Sequence, residues 1–216
     1  MLSEIIHKLK TSYPNASCEL EYSSEFELLV AVILSAQCTD KRVNEVTKTL
    51  FKTANTPEEF AAMDTVMLEK LIYSCGFYRS KAKSIISASK DLVNKFSGQV
   101  PDSLEALISL QGVGRKTANV VLSECFRQDA IAVDTHVFRV SRRLGFSGGT
   151  SPEAVENDLI KIFGNNNLVD FNGDKVKLGD IHHLLIFHGR YCCHSQRPKC
   201  TECPITEYCK EVKKCL

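Results

Sequence analysis

The sequence predicts an all-α chain. Helix-start signals recur along its length, the apolar residues after them keep helical spacing, and only one stretch carries a convincing strand signal. With 216 residues and 44% apolar content, the chain can form one large domain or two small ones around a real core. Its longest uninterrupted apolar run, Leu28 to Leu34, falls far short of the roughly 20 residues that a membrane-spanning helix needs.

The elements follow in order. Met1 to Lys10 sets Leu2, Ile5, Ile6 and Leu9 against Glu4, His7, Lys8 and Lys10, which suits an amphipathic helix better than a secretory signal. A reducing compartment, the cytoplasm or nucleoid, is the expectation. Ser24 with Glu27 has capping-box spacing and opens Phe26 to Gln37, which is apolar nearly all round and predicts a buried central helix. Thr56-Pro57 with Glu59 and Asp102 with Glu105 repeat the spacing, and Ser151-Pro152 places proline in a first helical turn. Ala82 to Phe96 carries Ile85, Ile86, Leu92, Val93 and Phe96 on one side and reads as amphipathic. Asp134, between the apolar run Ala130 to Val133 and the helical segment Thr135 to Leu144, is a good N-cap. Leu168 to Phe171 and Lys175 to Leu178, around Asn172-Gly173-Asp174, predict a small surface hairpin.

The stretch Leu110-Gln111-Gly112-Val113-Gly114-Arg115-Lys116-Thr117-Ala118-Asn119 is the most informative. Gly112 and Gly114 permit a tight reversal that brings backbone N–H groups close to a ligand. The run from Lys116 to Cys125 reads as a helix whose first turn leaves donors unpaired and bears partial positive charge, a setting for phosphate. Net charge is only +1, so a nucleic-acid signal has to be local. Three basic groups could supply it if the fold gathers them on one face: Arg79 with Lys81 and Lys83, Arg115 with Lys116, and Arg139 with Arg142 and Arg143.

Six of the ten cysteines lie beyond residue 190. Cys193, Cys200, Cys203 and Cys209 are separated by six, two and five residues, so four thiolates can converge from one short segment on a metal. Zinc and a 4Fe-4S cluster both accept four thiolates, and His194 adds a Cys/His option for zinc. Cys192, adjacent to a ligand, and Cys215, beyond the spacing, read as spectators. Cys18, Cys38, Cys75 and Cys125 read as small, buried, reduced hydrophobes.

The hairpin with its lysine, Val133-Asp134-Thr135-His136 eighteen residues later, and the cysteine spacing together resemble the endonuclease III family of DNA glycosylases. The likeness extends to Leu34-Ser35-Ala36-Gln37 with Thr39-Asp40, Gly76-Phe77-Tyr78 before Ser80-Lys81-Ala82, and His188-Gly189-Arg190-Tyr191. It implies two helical domains. Residues 18–128 would form a six-helix bundle with a helix-hairpin-helix motif, and residues 1–17 with 129–216 a second domain holding a 4Fe-4S cluster on the four cysteines. It also implies a bifunctional glycosylase with abasic-site lyase activity, acting in base excision repair on duplex DNA that contains damaged pyrimidines or abasic sites, as a monomer. Lys116 and Asp134 would be catalytic. Gln37, Phe77, Gly112, Val113, Gly114, Arg115, His136 and Arg190 would contact DNA, with Gln37 and Phe77 filling the gap left by a flipped nucleotide. The sequence departs from the family at Gln111, where proline is usual, at Phe77, where an aliphatic residue is commoner, and in a longer segment around 164–177.

An amine is what such chemistry needs. Attack on the anomeric carbon expels the base and leaves an imine, which acidifies the neighbouring proton for β-elimination of the 3′ phosphate. Two other readings stand beside this one, a monofunctional glycosylase using water, and a DNA-binding module with a structural zinc. Lys116 argues against the first, and DNA cleavage would exclude the second.

Overall fold

In the computed structural model, residues 1–164, 168–170 and 173–211 are described. Among them every regular element is helical. At the predicted hairpin, Val169 and Lys175 form a single antiparallel bridge, and the Val176 N–H donates to the Leu168 carbonyl at 2.8 Å. Phe171 and Asn172 of that hairpin, part of the longer segment, and Cys215 lie outside the described residues.

The chain divides into two compact units, Glu19–Gln128 and Met1–Cys18 with Asp129–Leu216. The first contains α2 (Glu25–Ser35), α3 (Asp40–Thr53), α4 (Pro57–Ala62), α5 (Thr65–Leu71), α6 (Tyr78–Phe96), α7 (Leu104–Ile108) and α8 (Arg115–Glu124). Seven segments stand where six helices were expected, because Met63 is extended and Asp64 caps a new helix through the Met67 N–H. The second unit contains α1 (Leu2–Ser12), α9 (Thr135–Leu144), α10 (Pro152–Leu159), a π-turn over Ile160–Gly164, and α11 (Leu178–Tyr191).

Helix α2 is central because every residue from Phe26 to Leu34 is buried. A helix with no polar face must be covered on all sides, and α3, α6 and α8 pack on it. Its Ser24 hydroxyl accepts the Glu27 N–H, while Glu27 Oε2 accepts the N–H of Ser23 at 2.6 Å, one residue earlier than a capping box requires. At Thr56 the box is complete. The expected cap at Asp102 moves to Ser103, whose hydroxyl reaches the Ala106 N–H and whose helix buries Leu107. In the second unit, Ile5, Ile6 and Leu9 of α1 join Val137, Val140 and Leu144 of α9 and Ile181, Leu184 and Leu185 of α11 in one core.

Two boundaries differ from expectation in a way that matters later. Helix α2 stops at Ser35, so Gln37 falls in a turn with φ of 53°, and α6 begins at Tyr78, four residues before Ala82. Of the scattered cysteines only Cys75 is buried; Cys18, Cys38 and Cys125 are half-buried, placed at helix ends and turns rather than inside the core.

Phe60 is fully buried and meets Phe26 edge-to-face with ring centroids 5.3 Å apart. Truncation to alanine should therefore destabilise the Glu19–Gln128 unit by about 3–5 kcal/mol, read as a lowered midpoint in urea unfolding followed by helical circular dichroism.

Candidate functional site

The reversal before α8 is built around two glycines with different roles. Gly112 has φ of +83°, and a Cβ there would come within 2.4 Å of Ser84 Cβ, so only glycine fits the approach to α6. Val113 is buried and its N–H donates to the Leu110 carbonyl at 3.1 Å, closing the turn. That bond and that burial make Val113 an anchor of the hairpin rather than a surface contact. Gly114 is the N-cap of α8, supplies no capping side chain, and faces open space. Arg115 and Lys116 follow in the first helical turn, both exposed.

Gln37 and Phe77 are brought together with this hairpin. Along with Gly112, Ser84 and Lys81 they line one hollow of about 280 Å³. Phe77 is 66% exposed, which excludes a core aromatic, and its φ of 59° is left-handed. Lys81, expected on a basic face, is instead buried.

Asp134 is the N-cap of α9. Its Oδ1 accepts the Val137 N–H at 2.7 Å, which commits one carboxylate oxygen to the helix. The extended run before it is pinned by His182, whose Nδ1 donates to the Ala132 carbonyl at 2.8 Å. His136, in the first turn of α9, has Nδ1 3.1 Å from Arg139 Nη2. An arginine only donates, so Nδ1 accepts and the ring's proton resides on Nε2. Arg190 lies in the last turn of α11. The third basic group is largely turned inward: Arg139 donates to the carbonyls of Cys193 and Gly189, and Arg143 to those of His194 and Ser195.

Cys193, Cys200, Cys203 and Cys209 line a single cavity of about 200 Å³, together with His188, Cys192, Pro198 and Arg143. Four cysteines around one cavity suit a 4Fe-4S cluster, which four thiolates would hold. Burial pushes the Cys203 thiol up, so its proton leaves only for a strongly cationic centre. Arg143 donates from Nη1 to the Cys193 sulfur at 3.3 Å.

Sequence reasoning missed the layer behind these four. Cys192 is buried, and its sulfur, a His188 ring nitrogen and the Cys203 sulfur all lie within 4.8 Å of one another. Cys192, read as a spectator, still borders the cavity, because the N–H groups of Cys192 and Cys193 both turn onto the His188 carbonyl, at 3.0 and 2.7 Å, where α11 ends. His188 is 1% exposed, and burial pushes its pKa down to about 4. The Tyr13 hydroxyl lies 3.2 Å from Nδ1, and burial keeps that phenol protonated, so Nδ1 accepts and Nε2–H faces Cys203 Sγ at 3.7 Å. The His188-Gly189-Arg190-Tyr191 motif signals the histidine; nothing in the sequence around Tyr13 signals its role.

Residues 30–164 match the HhH-GPD superfamily of base excision DNA repair proteins, and residues 193–209 the iron-sulfur binding domain of endonuclease III. The chain is 47% identical over 213 residues to endonuclease III of Rickettsia conorii, covering 97% of both chains. Among solved structures it resembles a non-covalent endonuclease III–DNA complex, with TM-score 0.86, 44% identity and coverage of 97% and 94%. It also resembles a trapped endonuclease III–DNA covalent intermediate, with TM-score 0.84, 45% identity and coverage of 95% and 92%.

The capping role of Asp134 separates from any other by substitution. Asp134→Ala should cost about 1 kcal/mol of stability, while Asp134→Asn, which still offers an oxygen to Val137, should unfold within a few tenths of wild type in the same denaturant titration.

Proposed function

The chain belongs to the endonuclease III family, and from that membership we propose that Lys116 and Asp134 carry its chemistry while Cys193, Cys200, Cys203 and Cys209 hold its iron–sulfur cluster. The protein is a DNA N-glycosylase with abasic-site lyase activity that acts in base excision repair. Damaged pyrimidines are its proposed targets, the cytoplasm or nucleoid its compartment, and the monomer its working form. No helix among the described residues is long and apolar enough to cross a membrane.

The observation that carries the assignment is the start of α8. Its N-cap is a glycine with open space beside it, so a phosphate can approach the backbone N–H groups and the positive end of the helix dipole without steric cost. Arg115 adds charge at the same place. An adjacent phosphate held there presents the neighbouring sugar to the Lys116 amine, one residue into the helix.

The reaction then follows from the groups present. The Lys116 nitrogen, as free amine, bonds to C1′ of the sugar as the C1′–N bond to the base breaks, and the base departs with the bonding pair and takes up a proton. Ring opening gives the imine between Lys116 and C1′. Loss of a C2′ proton pushes electrons toward the imine and expels the 3′ phosphate, and water releases the lysine. Asp134, with one oxygen held by Val137, keeps the other for the positive charge that develops on the sugar and for proton transfer. His136, with its proton on Nε2, Arg190, and the N–H groups at Gly112, Gly114 and Arg115 serve as phosphate contacts; Gln37 and Phe77 fill the gap in the stack once the nucleotide turns out. When bound, the cluster cross-links the loop from residue 193 to 209, and glycosyl transfer asks no electron of it.

Three experiments test this. Borohydride added to protein and a duplex with one abasic site should trap a covalent adduct with wild type and none with Lys116→Ala; an adduct that survives the substitution would place the nucleophile elsewhere. On a duplex that carries one damaged pyrimidine in place of the abasic site, Asp134→Asn should slow base release by about 100-fold or more despite its intact cap. The purified protein should also be brown, absorb near about 400 nm and contain iron and sulfide. Cys200→Ala should lose that colour, and a variant that keeps it would remove Cys200 from the ligand set.

A further inference from the structure

Lys81 is 6% exposed, and its ammonium donates to the carbonyls of Leu34 at 2.8 Å and Ala36 at 2.7 Å. Those oxygens end α2, where carbonyls lack intrahelical partners and bear partial negative charge. Burial acts against the charged form and lowers the lysine's pKa, a penalty that the two carbonyl bonds offset in part. A methionine would fill the same space without that penalty. What it could not do is bond the turn that follows Leu34.

That turn carries Gln37. Its φ of 53° lies in the left-handed region, as does the 59° of Phe77. Side-chain-bearing residues resist this conformation and keep it only where their surroundings hold them. Lys81 reaches both. Its side chain grips the carbonyl of Ala36, next to Gln37, and its own N–H donates to the Phe77 carbonyl at 3.1 Å. The two turns also lean on each other, since a Cβ on Gly76 would sit 3.4 Å from the Gln37 carbonyl oxygen.

We propose that Lys81 is a positioning residue for DNA insertion: it sets the spacing between Gln37 and Phe77 so that both enter the duplex as one rigid pair. It touches neither the sugar nor the base. The proposal rests on the reading of Gln37 and Phe77 as the inserting residues, and it adds the part that makes them act together. A lesion paired in duplex DNA needs insertion, whereas an abasic site in single-stranded DNA has no stack to open and no partner strand to hold. Lys81 should matter for the first and not the second.

The test uses the full-length holoprotein and four forms: wild type, Lys81→Met, Gln37→Ala and the double variant. Each is assayed for kcat/KM on a duplex with one ring-saturated pyrimidine, and for borohydride trapping on a single-stranded abasic oligonucleotide. Lys81→Met should lose about 10- to 100-fold on the duplex and stay close to wild type in trapping. Because Lys81 acts through Gln37, the double variant should be no worse than Gln37→Ala plus the smaller loss that comes through Phe77, well short of the product of the two single losses. Equal losses on both substrates, or a double variant at the full product, would overturn the proposal while leaving the inserting residues in place. If Gln37→Ala is itself silent on the duplex, the insertion reading falls and the proposal with it. Should Lys81→Met not fold, Lys81→Gln, which keeps an amide donor on a shorter arm, replaces it under the same criteria, with an intermediate loss on the duplex expected.

Discussion

The bond from the Val113 N–H to the Leu110 carbonyl closes the turn on which the reactive end of the Glu19–Gln128 unit depends. Closure is possible only because Gly112 takes φ of +83° and lies flat against Ser84 of α6. With the turn shut and Val113 buried beneath it, Gly114 is left as a bare N-cap and α8 starts with its dipole directed at solvent. Lys116 acquires its setting from that sequence of events. Hydrophobic burial at one residue and the absence of two Cβ atoms on either side leave a helix start with open space beside it. Gln111, which replaces the proline usual in the family, is exposed and makes none of these contacts, so the closure survives the change.

Three cations of this chain are turned onto carbonyl oxygens. Lys81 holds the end of α2; Arg139 holds Gly189 and Cys193; Arg143 holds His194 and Ser195. A guanidinium's planar fork suits two carbonyls at once, and a lysine's ammonium suits convergent oxygens at a helix end. Arg115 and Lys116, both exposed, sit where a helix dipole already favours an anion.

Much of this was legible in the sequence where local chemistry decides the outcome. The caps at Ser24, Thr56, Asp134 and Ser151 form as their residue types require, since a hydroxyl or carboxylate needs only a neighbour three residues on. Helix ends set by distant contacts were not legible. Gln37 leaves α2 and Phe77 precedes α6 because Lys81 joins the two from 47 residues beyond Leu34, and no periodicity encodes such a bond. The basic groups stayed open for the same reason: a run of arginines looks identical whether it faces water or the carbonyls of a loop 51 residues away.

The layer behind the four cysteines shows how backbone hydrogen bonding can defeat a sound rule about neighbours. Adjacent side chains in regular structure diverge, yet Cys192 and Cys193 line one cavity because their N–H groups converge on the His188 carbonyl and bend the chain at the end of α11. The same bend leaves the His188 ring between Tyr13 and Cys203. A neutral imidazole that accepts from a phenol on one side must donate from the other, so its orientation is fixed by a helix from the opposite end of the chain. Hydrogen bonds to cluster sulfurs tune an iron–sulfur centre as surely as its ligands do. The packing of α1 on α11 is therefore part of the metal site, and the amino-terminal residues that supply Tyr13 belong to it in chemistry as well as in fold.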